Sequence, residues 1–403
     1  MSEAAVPLFE LAPNQTQVNL ADDTELRGAA AEFCTLQPYR VGVYAKRNWG
    51  GFLHSLCSYQ GKLKPSIAHF LIERFTRPGD TVLDPMSGVG TIPLEARLQG
   101  RTAIGGDLSE LAYVVTKAKL EEFRGDDVVG CVEEIVGLIA HDRTPLSLLV
   151  AREAATFGLN GAVVEYFEKQ TLREVLLARS YFRSKVESIS AAEAIVLACV
   201  LHMLHGNRPY ALSRRSHPVT PLKPTGPYVY RSLVERLVPR LRTTIDEFSG
   251  LGGGSKALHA DLRELPLPRE SVDAVITSPP FADSLRFFST NWMRLWFCGW
   301  QPAEFKTKPP AFLEGQQKID FVSAYRTFSV EMARLLRPGG LLVMHVGETM
   351  KLDMATALLP VLDPEFSIIY SGRESVDDTE SHGLSDKGAT RAHHFLFARK
   401  RSD

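Results

Sequence analysis

The sequence contains few cysteines and no long hydrophobic run. Its five cysteines, spread over 403 residues, never form a CxxC pair, which argues against a disulfide framework and against a zinc cluster. No apolar run approaches the roughly 20 residues that a membrane-spanning helix needs. The first residues, MSEAAVPLFELAPNQ, lack the basic start and apolar segment of a signal peptide. We therefore expect a cytoplasmic protein that is not bound to a membrane.

The chain also lacks an overall excess of one charge, but its cations are unevenly distributed. It has 46 Lys and Arg against 47 Asp and Glu. Residues 171–245 alone contain 12 Lys and Arg against 4 Asp and Glu, a net charge of about +8. A basic segment inside a neutral protein predicts a surface that faces phosphate groups. A solvated basic face without a partner is the alternative.

Alternating strand and helix patterns predict an α/β protein. Residues 65–76 have apolar side chains at helical spacing, and a short apolar strand follows that ends at Asp84. TIPLEARLQG then predicts a helix closed by Gly100, RTAIGGD a second strand ending at Asp107, and LSELAYVVTKAKL a second helix. Strands and helices that alternate with short loops are typical of a doubly wound parallel sheet.

A helical, basic insertion separates two parts of this sheet. Residues 125–250 are mostly helical in pattern, except for the Pro- and Arg-rich stretch at 206–230. The glycine-rich linker GLGGGSK lacks the spacing of a P-loop and leads to five more predicted strands. These strands are ALHAD, VDAVITS, GGLLVMHVGE, FSIIYSG and HHFLFARK. The chain is thus expected to divide into residues 1–124, 125–250 and 251–403.

The loop VLDPMSGVGT joins the first strand to the following helix. Gly88 and Gly90 let a ligand approach the backbone without meeting a Cβ atom. Asp107 ends the next strand, where a carboxylate can accept hydrogen bonds from ribose hydroxyls. The GxGxxG spacing of a dinucleotide site is absent, and Asp84 would repel a pyrophosphate but attract a positively charged sulfonium. This pattern predicts a site for a nucleoside-type cofactor.

A second unusual segment, VDAVITSPPF, ends a buried strand on a serine, two prolines and a phenylalanine. Neither proline can continue a strand, because each lacks an N–H group and has a fixed φ. Residues 278–281 are therefore predicted to form a rigid ledge at the carboxyl end of a strand. This ledge would present backbone carbonyl groups and one aromatic ring.

Together these motifs resemble those of the class I S-adenosylmethionine (SAM) methyltransferases, specifically the enzymes that methylate exocyclic amino groups of DNA bases. Their first motif, D-P-x-x-G-x-G-T, corresponds to Asp84, Pro85, Gly88, Gly90 and Thr91. Their catalytic motif, Asp/Asn/Ser-Pro-Pro-aromatic, corresponds to Ser278, Pro279, Pro280 and Phe281. The form TSPPF is most similar to the cytosine-N4-specific enzymes.

The resemblance covers about residues 54–120 and 256–399. It implies the class I methyltransferase fold: a Rossmann-like, doubly wound, mostly parallel seven-stranded sheet with an antiparallel hairpin that ends in HHFLFARK. Residues 1–124 would then hold an N-terminal wrap and the SAM-binding half of the catalytic domain. Residues 125–250 would be the target-recognition region, and residues 251–403 would complete the sheet with the SPPF segment.

The resemblance also implies how S-adenosyl-L-methionine is held. Residues of the glycine loop would line its methionine part, Asp107 would hold the ribose, and Leu108 would pack on the adenine. Asp261 lies where such enzymes contact the adenine amino group, but an Asp before LREL is equally explained as a helix N-cap. The full set of expected cofactor residues is Tyr59, Lys62, Asp84, Pro85, Met86, Gly88, Gly90, Thr91, Asp107, Leu108, Asp261 and Leu262.

The ledge suggests a hypothesis for catalysis. The amino nitrogen of cytosine is a poor nucleophile, because its lone pair is delocalised into the ring. The Ser278 hydroxyl and the Pro279 carbonyl could accept its two hydrogens and pull it toward sp³ geometry, with the prolines keeping these acceptors rigid. Phe281 would stack on a base flipped out of the duplex. No Pro-Cys dipeptide occurs, as expected if methylation does not take place at carbon 5.

The expected reaction is methylation of cytosine N4 in specific sequences of double-stranded DNA, alone or within a restriction–modification system. Methylation of adenine N6 in DNA or of an RNA amino group is the first alternative. A SAM- or DNA-binding protein without catalysis is the second. The cofactor motif precedes the catalytic motif, the reverse of many TSPP-type enzymes, so the identity of the base stays open. If the chain belongs to a restriction–modification system, a cognate restriction endonuclease is its partner, and the chain would act as a monomer or homodimer.

The basic insertion is the expected DNA-binding region. Its candidate contacts are Arg208, Arg214, Arg215, His217 and Lys223. Further phosphate candidates are Arg286 and Arg294, whereas most aromatic side chains between 287 and 300 are expected in the core, with one or two at the base pocket. No metal site is expected, because no convincing third ligand accompanies the histidines at 202, 205, 393 and 394.

Overall fold

The computed structural model describes residues 18–46, 49–248, 251–281, 287–376 and 390–402, without the side chains of residues 317–319. The first 17 residues of the expected N-terminal wrap therefore lie outside the described residues, as does Arg286. None of the helices in these ranges combines the length and the apolar character that a membrane span requires.

Seven strands form one sheet in the order β3-β2-β1-β4-β5-β7-β6. Strands β1 to β5 are parallel, and β7 lies antiparallel between β5 and β6. The strands are β1 (Thr81–Asp84), β2 (Thr102–Asp107), β3 (Lys256–His259), β4 (Val272–Thr277), β5 (Leu336–Thr349), β6 (Phe366–Ser375) and β7 (Thr390–Lys400). This topology confirms the predicted class I methyltransferase fold, including the antiparallel final strand.

Thirteen α-helices are seen in the described residues. They are α1 (Asp23–Leu36), α2 (Pro65–Phe75), α3 (Thr91–Leu98), α4 (Glu110–Leu120), α5 (Gly125–His141), α6 (Leu146–Arg152), α7 (Lys169–Arg183), α8 (Ala191–Met203), α9 (Leu233–Asp246), α10 (Phe287–Phe297), α11 (Glu304–Thr307), α12 (Leu313–Leu335) and α13 (Met354–Leu362). The predicted helices and strands thus form where the sequence periodicity placed them.

Helices cover both faces of the sheet, because successive strand residues point to opposite sides. Val82 belongs to one buried cluster with residues of α1, α2 and α3, whereas the next residue, Leu83, belongs to another with residues of α12 and α13. Both layers are built from apolar side chains that the strand and helix periods place on facing surfaces. Each side of β1 therefore carries its own buried apolar cluster.

The insertion packs around α8, which is apolar on every side. Its residues 191–203 are almost entirely buried among α4, α5 and α9, and Ser190 and Glu193 form a capping box at its start. These helices share one buried cluster with α4 and α10. The insertion thus packs beside the sheet against α4 and α10, the helices that follow β2 and β4. The division of the chain at residues 124 and 250 remains a prediction.

The sheet order reverses between β1 and β4. The chain moves outward from β1 to β2 and β3 on one side, and from β4 to β5 on the other. In open α/β sheets ligands bind at this reversal, outside the carboxyl ends of the strands. Asp84, Asp107 and Thr277 end β1, β2 and β4 at this edge.

Candidate active site

A cavity of about 620 Å³ opens at the reversal point. The glycine loop, the SPPF segment and parts of α10 and α12 form its walls. The residues predicted from the sequence that line it are Tyr59, Lys62, Asp84, Pro85, Met86, Gly88, Thr91, Asp107, Leu108, Asp261, Leu262, Ser278, Pro279, Pro280 and Phe281. Two motifs that are almost 190 residues apart in sequence are thus brought to one cavity.

The two glycines of the loop serve different purposes. Gly88, at a φ of 52°, lines the cavity, donates its N–H to Asp107 Oδ2 at 2.9 Å and lies under the Tyr59 ring. Gly90, at a φ of 69°, faces away from the cavity, and a Cβ there would lie 2.8 Å from Thr116 Oγ1. The small size of Gly90 is thus needed for packing against α4, and its predicted contact with the cofactor remains a prediction.

Side chains of α4 hold the loop from behind. Thr116 Oγ1 donates to the Gly88 carbonyl at 3.0 Å, and Lys119 Nζ donates to the Val89 carbonyl at 2.5 Å. Lys119 is fully buried, and this burial lowers its pKa to about 7. Sequence reasoning missed both residues, since a Thr and a Lys on an apolar helix give no pattern that distinguishes them.

Two carboxylates, the buried Asp84 and the partly exposed Asp107, form the polar floor of the cavity. Asp84 Oδ1 accepts hydrogen bonds from Thr277 Oγ1 at 2.7 Å and from the Met86 N–H at 3.2 Å. Asp107 accepts from the Gly88 N–H and, through Oδ1, from the Ser109 N–H at 2.9 Å. Each Asp107 oxygen therefore keeps an unused lone pair for a further donor.

Burial raises the pKa of both carboxyl groups to about 7, although their hydrogen bonds oppose the shift. The charges of Glu314 and Asp84 raise the pKa of Asp107 further. A cation in this cavity would favour the ionised carboxylates, and an anion would be repelled. The cavity is thus electrostatically suited to a positively charged ligand with hydroxyl groups.

Glu314 is a cavity residue that sequence reasoning missed. It lies in the first turn of α12 and lines the cavity, and burial raises its pKa. Cavity residues without a prediction also include Ser87, Val89, Ile92, Arg263, Thr290, Ala311, Phe312, Leu313 and Gln316. Ser87 and Val89 lie inside the glycine motif and Ile92 follows it directly, whereas the others lie outside both motifs, where no sequence signal could place them at the cavity.

The SPPF segment turns its polar and aromatic groups toward this cavity. Ser278 Oγ lies 3.1 Å from Nδ1 of His345, a residue of β5 that is only 5% exposed. The Phe281 ring lies beside the rings of His345 and His393, with centroid distances of 5.7 and 5.4 Å. Gly347 makes room for it, because a Cβ at that position would lie 2.6 Å from the ring.

Asp261 lines the cavity and does not cap a helix, so the alternative explanation of this residue is wrong. The residues that follow it form a turn rather than a helix. Asp261 Oδ1 accepts from the Arg263 N–H at 3.0 Å, and the carboxylate is also paired with the Arg263 guanidinium. The expected contact of Asp261 with the adenine amino group remains a prediction.

The cations predicted to bind DNA divide into two groups. Arg208, Arg215 and Lys223 are exposed on the stretch 206–230. In contrast, the Arg214 guanidinium donates to the carbonyls of Glu165 and Gly226 at 2.9 and 2.8 Å and thereby fixes the loop. His217 Nδ1 similarly accepts from backbone N–H groups within a turn. None of these five side chains lines the cavity.

Helix α10 connects this stretch to the cavity. Its Trp292 Nε1 donates to the Pro221 carbonyl at 3.2 Å, while Phe287 and Thr290 of the same helix line the cavity. Phe287 is one of the aromatics of this segment, and Trp292 and Trp296 lie in the core as expected. Arg294 is fully buried and donates to the Leu201 carbonyl at 3.1 Å, so its prediction as a phosphate contact is wrong.

One side-chain cluster in the described residues has the composition of a metal site. Glu348, Asp353 and His394 bring ligand atoms within 4.8 Å of one another. However, Arg373 already pairs with both Glu348 oxygens, at 2.7 and 3.1 Å. A metal ion at this cluster would have to displace the Arg373 guanidinium, so we assign no metal to it.

A family model matches the part of the chain that contains the glycine loop. Residues 55–157 match the family model described as RMKL-like, methyltransferase domain. A 71-residue segment is 28% identical to the Type II methyltransferase M.MjaII of Methanocaldococcus jannaschii, and it covers 18% of this chain and 13% of that protein. The chain thus matches only a small part of the length of this curated relative.

Similar solved structures include TrmN from Thermus thermophilus, with 16% identity, a TM-score of 0.33, and coverage of 85% of this chain and 50% of that chain. A SAM-dependent methyltransferase from Methanosarcina mazei has 10% identity, a TM-score of 0.35, and coverage of 83% and 98%. TM-scores this low do not indicate a shared function. The fold and the family-model match support a methyltransferase that uses S-adenosyl-L-methionine, as predicted from the sequence.

Proposed function

We propose that this chain is a SAM-dependent methyltransferase that acts on the N4 amino group of cytosine in specific sequences of double-stranded DNA. One observation carries the proposal: the glycine loop, the carboxylates of Asp84 and Asp107, and the SPPF segment line the same cavity. A cofactor and a base bound there would meet between the ends of β1 and β4. The resemblance of TSPPF to cytosine-N4-specific enzymes supports the choice of base.

The cavity fits S-adenosyl-L-methionine, which supplies an electrophilic methyl group on a positively charged sulfur. The carboxylates of Asp84 and Asp107 favour a cation, and the unused lone pairs of Asp107 can accept ribose hydroxyls. Tyr59 covers the glycine loop, and its ring lies 5.5 Å from that of Phe287. Leu108, Asp261 and Leu262 would enclose the adenine, with Lys62, Met86 and Thr91 lining the remaining wall.

Residues of the SPPF segment would activate the target nitrogen. The Ser278 hydroxyl and the Pro279 carbonyl accept its hydrogens, and the fixed φ of the prolines orients these acceptors before the reaction. Phe281 provides a ring on which a flipped base can stack. A serine at this position, rather than an aspartate, favours cytosine over adenine by the same resemblance.

The insertion at residues 125–250 would recognise the DNA. Its exposed cations can contact phosphates, and α10 couples this stretch to the cavity through Trp292 and Phe287. A base flipped into the cavity would then lie close to the DNA held by the insertion. A restriction endonuclease partner and a monomeric or homodimeric state remain predictions from the sequence.

A transfer assay with labelled SAM tests the proposal. Mixed-sequence duplex DNA and RNA are each incubated with the protein, digested and analysed by nucleoside mass spectrometry. We expect N4-methylcytosine from DNA. N6-methyladenine alone would refute the assignment of the base, label in RNA alone would refute the substrate, and no label with SAM still bound would refute the enzymatic activity.

A matched pair of serine variants tests the role of the ledge. Ser278→Ala should reduce turnover by at least about 100-fold and leave the Kd for SAM within about twofold, because Ser278 serves the base. Ser271→Ala, near the opposite end of β4, is the control: its exposed hydroxyl bonds the Pro268 carbonyl, and turnover should persist. Equal loss of SAM binding and turnover in Ser278→Ala would contradict the assigned role.

A further inference from the structure

We propose that His345 is a positioning residue that acts through Ser278 and receives the proton released during methyl transfer. This inference rests on the proposed function. It assigns a role to a side chain that lies outside both sequence motifs, and it makes Ser278 one link of a two-residue proton path.

The geometry places His345 directly behind Ser278. β4 and β5 are parallel neighbours, and Thr277 is paired with Met344. The residues that follow them, Ser278 and His345, therefore lie side by side. Ser278 Oγ and His345 Nδ1 are 3.1 Å apart. Within the described part of the chain, no other titratable side chain forms a hydrogen bond with Ser278.

Packing fixes the orientation of the imidazole. The His345 ring stacks on His393 at a centroid distance of 4.8 Å and contacts Phe395 at 4.9 Å. Phe281, the residue expected to stack on the base, lies on the same group of rings. The position of His345 is therefore determined by the sheet and by its aromatic neighbours rather than by a flexible loop.

His345 is held in its neutral form. Burial lowers its pKa well below the usual range for histidine, and the nearby His393 and His394 lower it further. A neutral imidazole can accept the Ser278 proton at Nδ1, which leaves both Oγ lone pairs directed to the base. Its Nε2 is buried and has no hydrogen-bond partner among the described residues, so the ring is not committed to another contact.

The proton balance of the reaction needs such an acceptor. An amino nitrogen that gains a methyl group must lose one of its two protons. In the proposed step Ser278 Oγ takes this proton while its own hydroxyl proton moves to His345 Nδ1, and the imidazole becomes an imidazolium. Burial disfavours the imidazolium, so the proton returns through Ser278 to water when the product leaves.

The first test does not depend on activity. Nitrogen NMR of the imidazoles is compared between the wild-type protein and Ser278→Ala, both without DNA. If Ser278 donates to Nδ1, its removal shifts the His345 Nδ1 resonance and leaves the other histidines unchanged. An unshifted His345 signal would overturn the inference.

The second test separates positioning from proton acceptance. His345→Leu removes both and should lower kcat about 100-fold. His345→Asn keeps an acceptor for the Ser278 hydroxyl but cannot take its proton, so its kcat should fall about tenfold and depend more steeply on pH. The Kd for SAM should stay within about twofold in both variants. A kcat unchanged in His345→Leu would overturn the inference.

A double-mutant cycle shows whether His345 acts through Ser278. Ser278→Ala combined with His345→Leu should be no slower than Ser278→Ala alone, whereas additive losses would mean that His345 acts independently. His205→Asn is the matched control, because His205 is also buried and neutral but lies beyond the cavity, and its kcat should be unchanged. An inactive wild-type protein would refute both proposals, and an active one with additive losses would refute the role of His345 alone.

Discussion

The affinity for SAM should depend on pH between 6.0 and 7.5. In the free protein Asp84 and Asp107 each have a pKa raised to about 7 by burial. The bound cation should return both to the ionised state, so that binding releases protons at the lower pH. The upper limit of 7.5 keeps the amino group of the ligand mostly protonated, since α-amino groups have pKa values near 8.

The magnitude follows from the ionised fractions. For a group of pKa about 7, the ionised fraction is about 0.09 at pH 6.0 and about 0.76 at pH 7.5, a ratio of about 8. If one carboxylate must ionise, the Kd should decrease about eightfold over this range. If both must ionise independently, the Kd should decrease about seventyfold. Close to one proton per carboxylate should be released at pH 6.0.

Isothermal titration calorimetry in buffers of different ionisation enthalpy measures both the Kd and the released protons. Asp84→Asn should reduce the proton release to that of a single carboxylate and weaken binding at pH 7.5. Asp126→Asn is the control, because this exposed residue in the first turn of α5 lies away from the cavity. A Kd constant within twofold, without proton release, would refute the electrostatic account of the site.

Three further predictions concern packing and DNA binding. Gly90→Ala should lower the free energy of unfolding by about 1–3 kcal/mol, because its Cβ would meet Thr116. Gly100→Ala is the control, because a Cβ at Gly100 would meet open space, and it should lower the free energy of unfolding by less. Equal decreases in the two variants would contradict the steric reason. Glu153→Gln should cost about 3–5 kcal/mol in urea denaturation, because it leaves the buried Arg179 without its ion-pair partner, and a loss under about 1 kcal/mol would contradict this reason. Glutamine at the three exposed Lys and Arg residues of the stretch 206–230 should lower the salt slope of DNA binding, measured by fluorescence anisotropy, by about 3, and an unchanged slope would place the DNA elsewhere. These cations are Arg208, Arg215 and Lys223.

The sequence by itself determined the fold and most of the cavity floor. Strand and helix periods are local, so β1, the glycine loop and β2 could be located from a few residues each. The carboxyl ends of parallel strands meet at one edge, which is why Asp84, Asp107 and Ser278 could be expected together. The proline pair after β4 was informative because only a strand end tolerates it.

The tertiary structure alone decided which neighbours complete the site. Glu314 and His345 come from segments with no recognisable motif: Glu314 lines the cavity from the first turn of α12, and His345 contacts Ser278 because β5 pairs with β4. The burial of Arg294 and the inward bonds of Arg214 likewise depend on packing, since a charge count cannot tell a solvated cation from one that bonds carbonyl groups. Gly90 faces α4 rather than the cavity for the same reason: local sequence fixes its conformation, but only the packed helix fixes what it touches.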